Sequence, residues 1–170
     1  MKASYVDSRA GNEACQNVGM RSDVLEHRFT VSASPDEVLS HLADPANYVG
    51  LNPYVVAVRD VRQQDGATAY TAIEHLTVLG LGWDNPIEVV SRIDKPNGRQ
   101  VMDVVSRGGV TVRIVTSVAA APSGSTVEDT ITLTGRAPVR AFARRLARAG
   151  QLHRAACLND RLNHPVAGPE

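Results

Sequence analysis

Hydrophobic and polar positions alternate from Asp23 onward: Leu25, His27, Phe29 and Val31 fall between Glu26, Arg28, Thr30 and Ser32. That is the period of a strand with one buried face. Ser34 then supplies a helix cap, Pro35 suits the first helical position, and Glu37 stands where it closes a capping box. The helix carries Val38, Leu39 and Leu42 on its apolar face and stops at Asp44-Pro45, before a second short helical segment that ends near Asn52-Pro53. From Tyr54 to Thr134 the chain is rich in Val, Ile and Thr, with turn signals at Asp65-Gly66, Gly80 to Gly82, Pro96-Asn97-Gly98, Gly108-Gly109 and Ser123-Gly124. These turns predict a strand from Tyr54 and five more at Ala67–Leu79, Asn85–Asp94, Arg99–Ser106, Val110–Ala120 and Ser125–Thr134. Connections this short require antiparallel neighbours.

A final amphipathic helix opens at Pro138 and runs for about 25 residues, with Val139, Phe142, Leu146, Ala149, His153 and Ala156 as its apolar stripe. Arg140, Arg144, Arg145, Arg148, Arg154 and Arg161 take much of the remaining surface. Residues 1–22 show neither period and are expected to form a flexible arm, followed by a folded domain over 23–164 and a tail over 165–170.

Lys and Arg equal Asp and Glu at 18 each, so the whole chain exerts no electrostatic pull on nucleic acid or an anionic membrane. The arginine-rich helix face lacks interleaved aromatics and reads as a solvated face, with no nucleic-acid partner expected. No apolar run approaches the roughly 20 residues that span a bilayer. The N-terminus shows no apolar segment of a secretory leader, so the expected location is cytoplasmic. Cys15 and Cys157, at opposite ends of the chain, are expected to be free thiols. Phosphate-loop, HExxH, CxxC and G-x-S-x-G signatures are absent, and His27, His41, His75, His153 and His164 are scattered. Neither a metal nor another cofactor is expected.

Two stretches, VLEHRFTVSASPDEVLSHLADPANYVGLNP and TVEDTITLTGRAPVRAFARRLARAGQLHRAACLNDRL, carry a resemblance to the polyketide cyclase/dehydrase and START-like superfamily, often labelled SRPBCC. It spans Asp23 to about Asn163. The sequence departs from the family's usual opening at Gly50-Leu51, where a Trp often precedes Asn-Pro. The resemblance implies an α+β helix-grip fold: a curved seven-stranded antiparallel sheet wrapped around a long C-terminal helix, with two short helices after the first strand. It also implies a cavity between sheet and helix that holds a lipid, a polyketide or another hydrophobic molecule. It carries over no catalytic residue, because no position here matches a defined catalytic motif.

In the strand over Ala67–Leu79, the set Tyr70, Ala72, Glu74, Leu76 and Val78 shares one face and is the better choice for the inward one. Glu74 would then be a desolvated carboxyl and the leading acid/base candidate, unless a bulge returns it to solvent. Tyr70 and His27 join it as catalytic candidates. The expected pocket residues are Phe29, Tyr70, Leu76, Val89, Val112 and Ile114, with Phe142 and Leu146 from the helix. Asp129 and His153 follow from their apolar faces, and Trp83, in the glycine-flanked hairpin, is placed over the pocket mouth. Ala143, Ala147, Ala149 and Gly150 fit close approach to the sheet or to a second copy, so a homodimer stays open.

Three functions follow. The first is binding of an apolar small molecule. The second is a cyclase or dehydratase acting on a polyketide-type substrate, and the third a regulatory or interaction protein using the basic helix face.

Overall fold

The computed structural model describes residues 20–78 and 80–163. Cys15, His164 and most of the expected arm and tail lie outside the described residues. Strand β1 (Met20–Val31) leads into helix α1 (Pro35–Ala43) and a 3-10 turn over Pro45–Tyr48. Then come β2 (Val55–Gln64), β3 (Ala67–Val78), β4 (Leu81–Asp94), β5 (Arg99–Ser106), β6 (Thr111–Ala121), β7 (Gly124–Arg136) and helix α2 (Ala137–Asn163). The seven strands form one antiparallel sheet in the order β1-β7-β6-β5-β4-β3-β2. The fold is the helix-grip α+β arrangement expected from the sequence.

Local chemistry accounts for the boundaries. Ser34 Oγ accepts from Glu37 N at 3.4 Å, and Ser34 N donates to Glu37 Oε2 at 2.8 Å, which completes the capping box of α1. Asp44 Oδ1 caps the 3-10 turn by accepting from Ala46 N at 2.9 Å. Gly124, at φ 131, closes the β6–β7 turn, where any Cβ would collide with the Val31 carbonyl oxygen of β1.

Two strand starts and the place of the sheet's irregularity differ from expectation. β1 begins at Met20, because Met20–Ser22 pair with Thr134–Arg136 of β7 although their own sequence shows no alternation. β4 begins at Leu81 rather than Asn85, so Trp83 is a strand residue opposite Leu76 and not part of a hairpin loop. The register breaks lie in β2, between Val55 and Ala57 and between Arg59 and Arg62, with Asp60 at φ 54. β3 pairs with β4 without a break, which preserves its inward and outward faces.

The main core packs α1 against the sheet through Val38, Leu39 and Leu42, together with Tyr48, Leu51, Val127 and Leu158. Helix α2 is tied down at both ends. Arg140 Nε donates to Asp23 Oδ2 at 2.9 Å, while Arg161 donates to the carbonyls of Asn47 at 2.6 Å and Val49 at 2.8 Å. Its inward face departs from the expected stripe: Gln151, Arg154 and Leu158 are buried, whereas Ala149, His153 and Ala156 are exposed. The two readings agree up to Leu146 and then part, because the face follows the i+4 ladder through Gly150, Arg154 and Leu158.

Candidate functional site

Between α2 and the concave face of the sheet lies a cavity of about 360 Å³. The strand register orders its walls. Leu76 stands opposite Trp83 and Glu74 opposite Asn85, followed by Ala72 with Ile87 and Tyr70 with Val89. Val104 continues the layer to Val112 and Leu133, and Met102 continues the next to Ile114 and Ile131. From α2, Val139, Phe142, Ala143, Leu146 and Ala147 cover the opening face. Trp83, Val139 and Phe142 are 44%, 40% and 37% exposed while lining the cavity, so they mark its mouth. The walls between mouth and inner end are almost wholly hydrocarbon.

Asn52, Tyr54, Tyr70 and Ser106 also line the cavity, but its charged groups occur at two levels. Near the mouth, Glu74 Oε2 accepts from Asn85 Nδ2 at 3.0 Å. Desolvation raises the Glu74 carboxyl above its ordinary value, and the Asn85 hydrogen bond opposes this only in part. At the inner end, Arg154 reaches the sheet and places Nη1 3.2 Å from both carboxylate oxygens of Asp129, donating to Oδ1. Thr116 Oγ1 donates to Asp129 Oδ1 at 2.6 Å and lies 3.3 Å from Arg154 Nη2. Thr116 pairs with Asp129 on one side and Gln100 on the other. Gln100 Nε2 in turn donates to Leu42 O at 3.1 Å, Tyr48 Oη at 2.8 Å and Ser91 Oγ at 3.0 Å. A buried ion pair is favourable only when further hydrogen bonds complete it; Thr116 supplies them in part, while among the described residues Asp129 Oδ2 and Arg154 Nε are buried without a hydrogen-bond partner.

Tyr70 is 3% exposed and its ring lies 6.2 Å from that of Tyr48. Burial raises both phenols above their ordinary values, so each remains a protonated donor. Tyr70 and Glu74 share the cavity face but stand four residues apart, about 13 Å along the strand. They face different stretches of any bound molecule.

The cavity lining thus includes Glu74, Tyr70, Leu76, Trp83 and Val89, with Val112, Ile114, Phe142 and Leu146. Four other candidates stand off it. Phe29 packs against the main core, and His27 stacks on Phe29 at 5.5 Å, its Nδ1 buried and without a hydrogen-bond partner among the described residues. Asp129, 1% exposed, lies behind Arg154. His153 is on the outer side of α2, where Nε2 lies 2.9 Å from Gly50 O and 3.2 Å from Cys157 Sγ. His27, Phe29 and Asp129 were aligned correctly by strand parity, but parity does not tell which inward positions another element covers.

Sequence reasoning missed Arg154 and Gln151, both of which line the cavity. An arginine among five others on a helix reads as solvated, and the signal lay in its spacing from Leu146 and Leu158. Among the described residues, no three or more His, Cys, Asp or Glu side chains are grouped so as to hold a metal ion.

A family model described as polyketide cyclase / dehydrase and lipid transport matches residues 23–163. The chain belongs to that family. Solved structures of similar fold include the Zhui aromatase/cyclase from Streptomyces sp. R1128, with a TM-score of 0.72 at 15% identity over 88% of this chain and 100% of that one. Norcoclaurine synthase from Thalictrum flavum superposes with a TM-score of 0.66 at 14% identity, over 96% of this chain and 99% of that one. At such identities the likeness concerns the fold. A curated protein described as AA9 family lytic polysaccharide monooxygenase F, from Emericella nidulans, is 32% identical over 81 residues. Those residues make up 48% of this chain and 30% of that protein, so the chain spans less than a third of that relative's length. Among the described residues, no helix is long and apolar enough to cross a membrane.

Proposed function

We propose that the protein binds one hydrophobic small molecule, lipid- or polyketide-like, in the cavity between the sheet and α2. The observation that carries this reading is the cavity itself: about 360 Å³, with walls that are largely hydrocarbon and its charged side chains, Glu74 and Arg154, at opposite ends. Small-molecule sites fall at roughly 300–1,000 Å³ with this kind of lining, and a fold maintained only for packing would fill such a volume. The family's description, cyclase/dehydrase and lipid transport, supports the same class of ligand.

Native mass spectrometry of the purified protein, with titration of the neutral apolar dye N-phenyl-1-naphthylamine, tests the reading. A co-purified apolar molecule or one-to-one dye binding to the native state is expected. No bound molecule and no dye binding would overturn it.

One observation favours catalysis in the same cavity. Glu74 is a desolvated carboxyl facing the lumen, with Asn85 orienting one of its oxygens. In an aldol-type cyclisation, ionised Glu74 would take the proton from a carbon between two carbonyls. The resulting enolate carbon would then bond to a second carbonyl, and Glu74 would return the proton to the new alkoxide oxygen. No oxidant or reductant enters. On this reading Glu74→Gln abolishes turnover of a polycarbonyl substrate while leaving its affinity nearly unchanged. Retained turnover would remove Glu74 from the chemistry and leave binding alone.

A further inference from the structure

At the inner end of the cavity the protein offers more donors than acceptors. Gln151 and Arg154 are three residues apart on α2, so they share one face, and they are 4% and 9% exposed. Both line the cavity. Among the described residues, two donors here, Gln151 Nε2 and Arg154 Nε, are buried without a hydrogen-bond partner, against one such acceptor, Asp129 Oδ2, which already lies 3.2 Å from Arg154 Nη1. A buried donor left unpaired is destabilising, and two together on a cavity wall are explained if an acceptor arrives with the ligand.

The charge already present narrows the acceptor. Asp129 compensates the Arg154 guanidinium from the sheet side, with Nη1 3.2 Å from both carboxylate oxygens. A ligand carboxylate placed there would leave one buried negative charge unbalanced. A neutral carbonyl oxygen adds no charge, and its two lone pairs can accept from both donors.

We propose that Gln151 and Arg154 form a carbonyl-binding site at the inner end of the cavity. The ligand is then an apolar molecule bearing a ketone, ester or similar neutral carbonyl on the end that enters first. This rests on the binding function proposed above.

Three naphthalenes of similar bulk test it: 2-acetylnaphthalene, its hydrocarbon counterpart 2-isopropenylnaphthalene, and 2-naphthoate. Trp83, the sole tryptophan and a cavity residue, reports binding by its fluorescence. The ketone is expected to bind about fivefold to tenfold tighter than the hydrocarbon, and the carboxylate most weakly. Gln151→Met retains bulk and removes a donor. It should reduce the preference for the ketone at least threefold, while continued binding of the hydrocarbon shows that the pocket is intact.

Equal binding of ketone and hydrocarbon, or a preference unchanged in Gln151→Met, would overturn the carbonyl site while leaving the cavity's binding role in place. Tighter binding of naphthoate than of the ketone would overturn the neutral acceptor. Failure of all three probes would instead count against the binding function, and this proposal would fall with it.

Discussion

Two carboxyls on the concave side of the sheet meet opposite fates, and the difference is one of partners. Asp129 has a guanidinium and a hydroxyl; Glu74 has a single amide. Removing the cation from the first pair strands a buried charge, so Arg154→Met should cost about 3–5 kcal/mol in urea unfolding. A loss below about 1 kcal/mol would mean that Asp129 finds other compensation. For Glu74 the sign runs through the unfolded state. Its folded value is raised, so the native protein holds the proton more tightly than the unfolded chain does. The stability this confers is complete below the unfolded value of about 4.3 and is lost as pH rises through the raised folded value. Glu74→Gln removes the titration. The variant should therefore gain stability relative to wild type as pH increases through that window, measured as the difference in urea midpoint from pH 4 upward. A difference that stays flat would place the Glu74 carboxyl in solvent.

Among the elements, α2 shows most clearly what sequence pattern can and cannot convey. Gly150 lies in mid-helix, where glycine is less favourable than alanine by about 1 kcal/mol. A Cβ there would meet nothing nearer than Asn52 Oδ1 at 3.9 Å, an ordinary contact. Gly150→Ala should therefore raise stability by about 0.5–1 kcal/mol in thermal or urea unfolding, and destabilisation would show that the helix needs the freedom glycine allows. The strands were legible because a two-residue period and glycine turns are local signals, and the Ser34 to Glu37 cap was legible for the same reason. Parity likewise put Tyr70, Glu74 and Leu76 on the cavity face. The second half of α2 was not legible. Its apolar pattern dissolves after Leu146, and the face is completed by Gln151 and by Arg154, which bonds Thr116 and Asp129 from strands far away in sequence. Trp83 was misplaced for a related reason: glycines at 80 and 82 signal a turn, but pairing with β3 extends β4 back to Leu81. A long-range partner decided the first case and pairing within a tight hairpin the second, since Trp83 stands opposite Leu76 and Leu81 opposite Val78.

For the whole molecule, the proposed binding function places the ligand in the space under α2. The helix is anchored near its start by Arg140 on Asp23 and near its end by Arg161 on the Asn47 and Val49 carbonyls, and the stretch between them roofs the cavity. Ala147 lies in that stretch and faces the lumen. Ala147→Phe projects a benzene ring into it, and a ring of that size occupies a cavity of about 150 Å³, a large share of the roughly 360 Å³ available. Filling an existing void adds dispersion contacts without cutting any native ones, so stability should stay level or rise by about 0.5–2 kcal/mol. Binding of N-phenyl-1-naphthylamine should weaken at least about tenfold, since the lost volume can no longer accept the naphthyl group. Ala156→Phe, on the exposed side of the same helix, is the control and should leave dye affinity unchanged. Exposed side chains such as Val56, Val61 and Leu81 give a dye other apolar surface to adhere to. If both variants bind it as wild type does, adhesion of that kind explains the signal and the cavity is not the site. If Ala147→Phe alone loses the dye while its melting temperature holds, the volume between sheet and helix is the binding site.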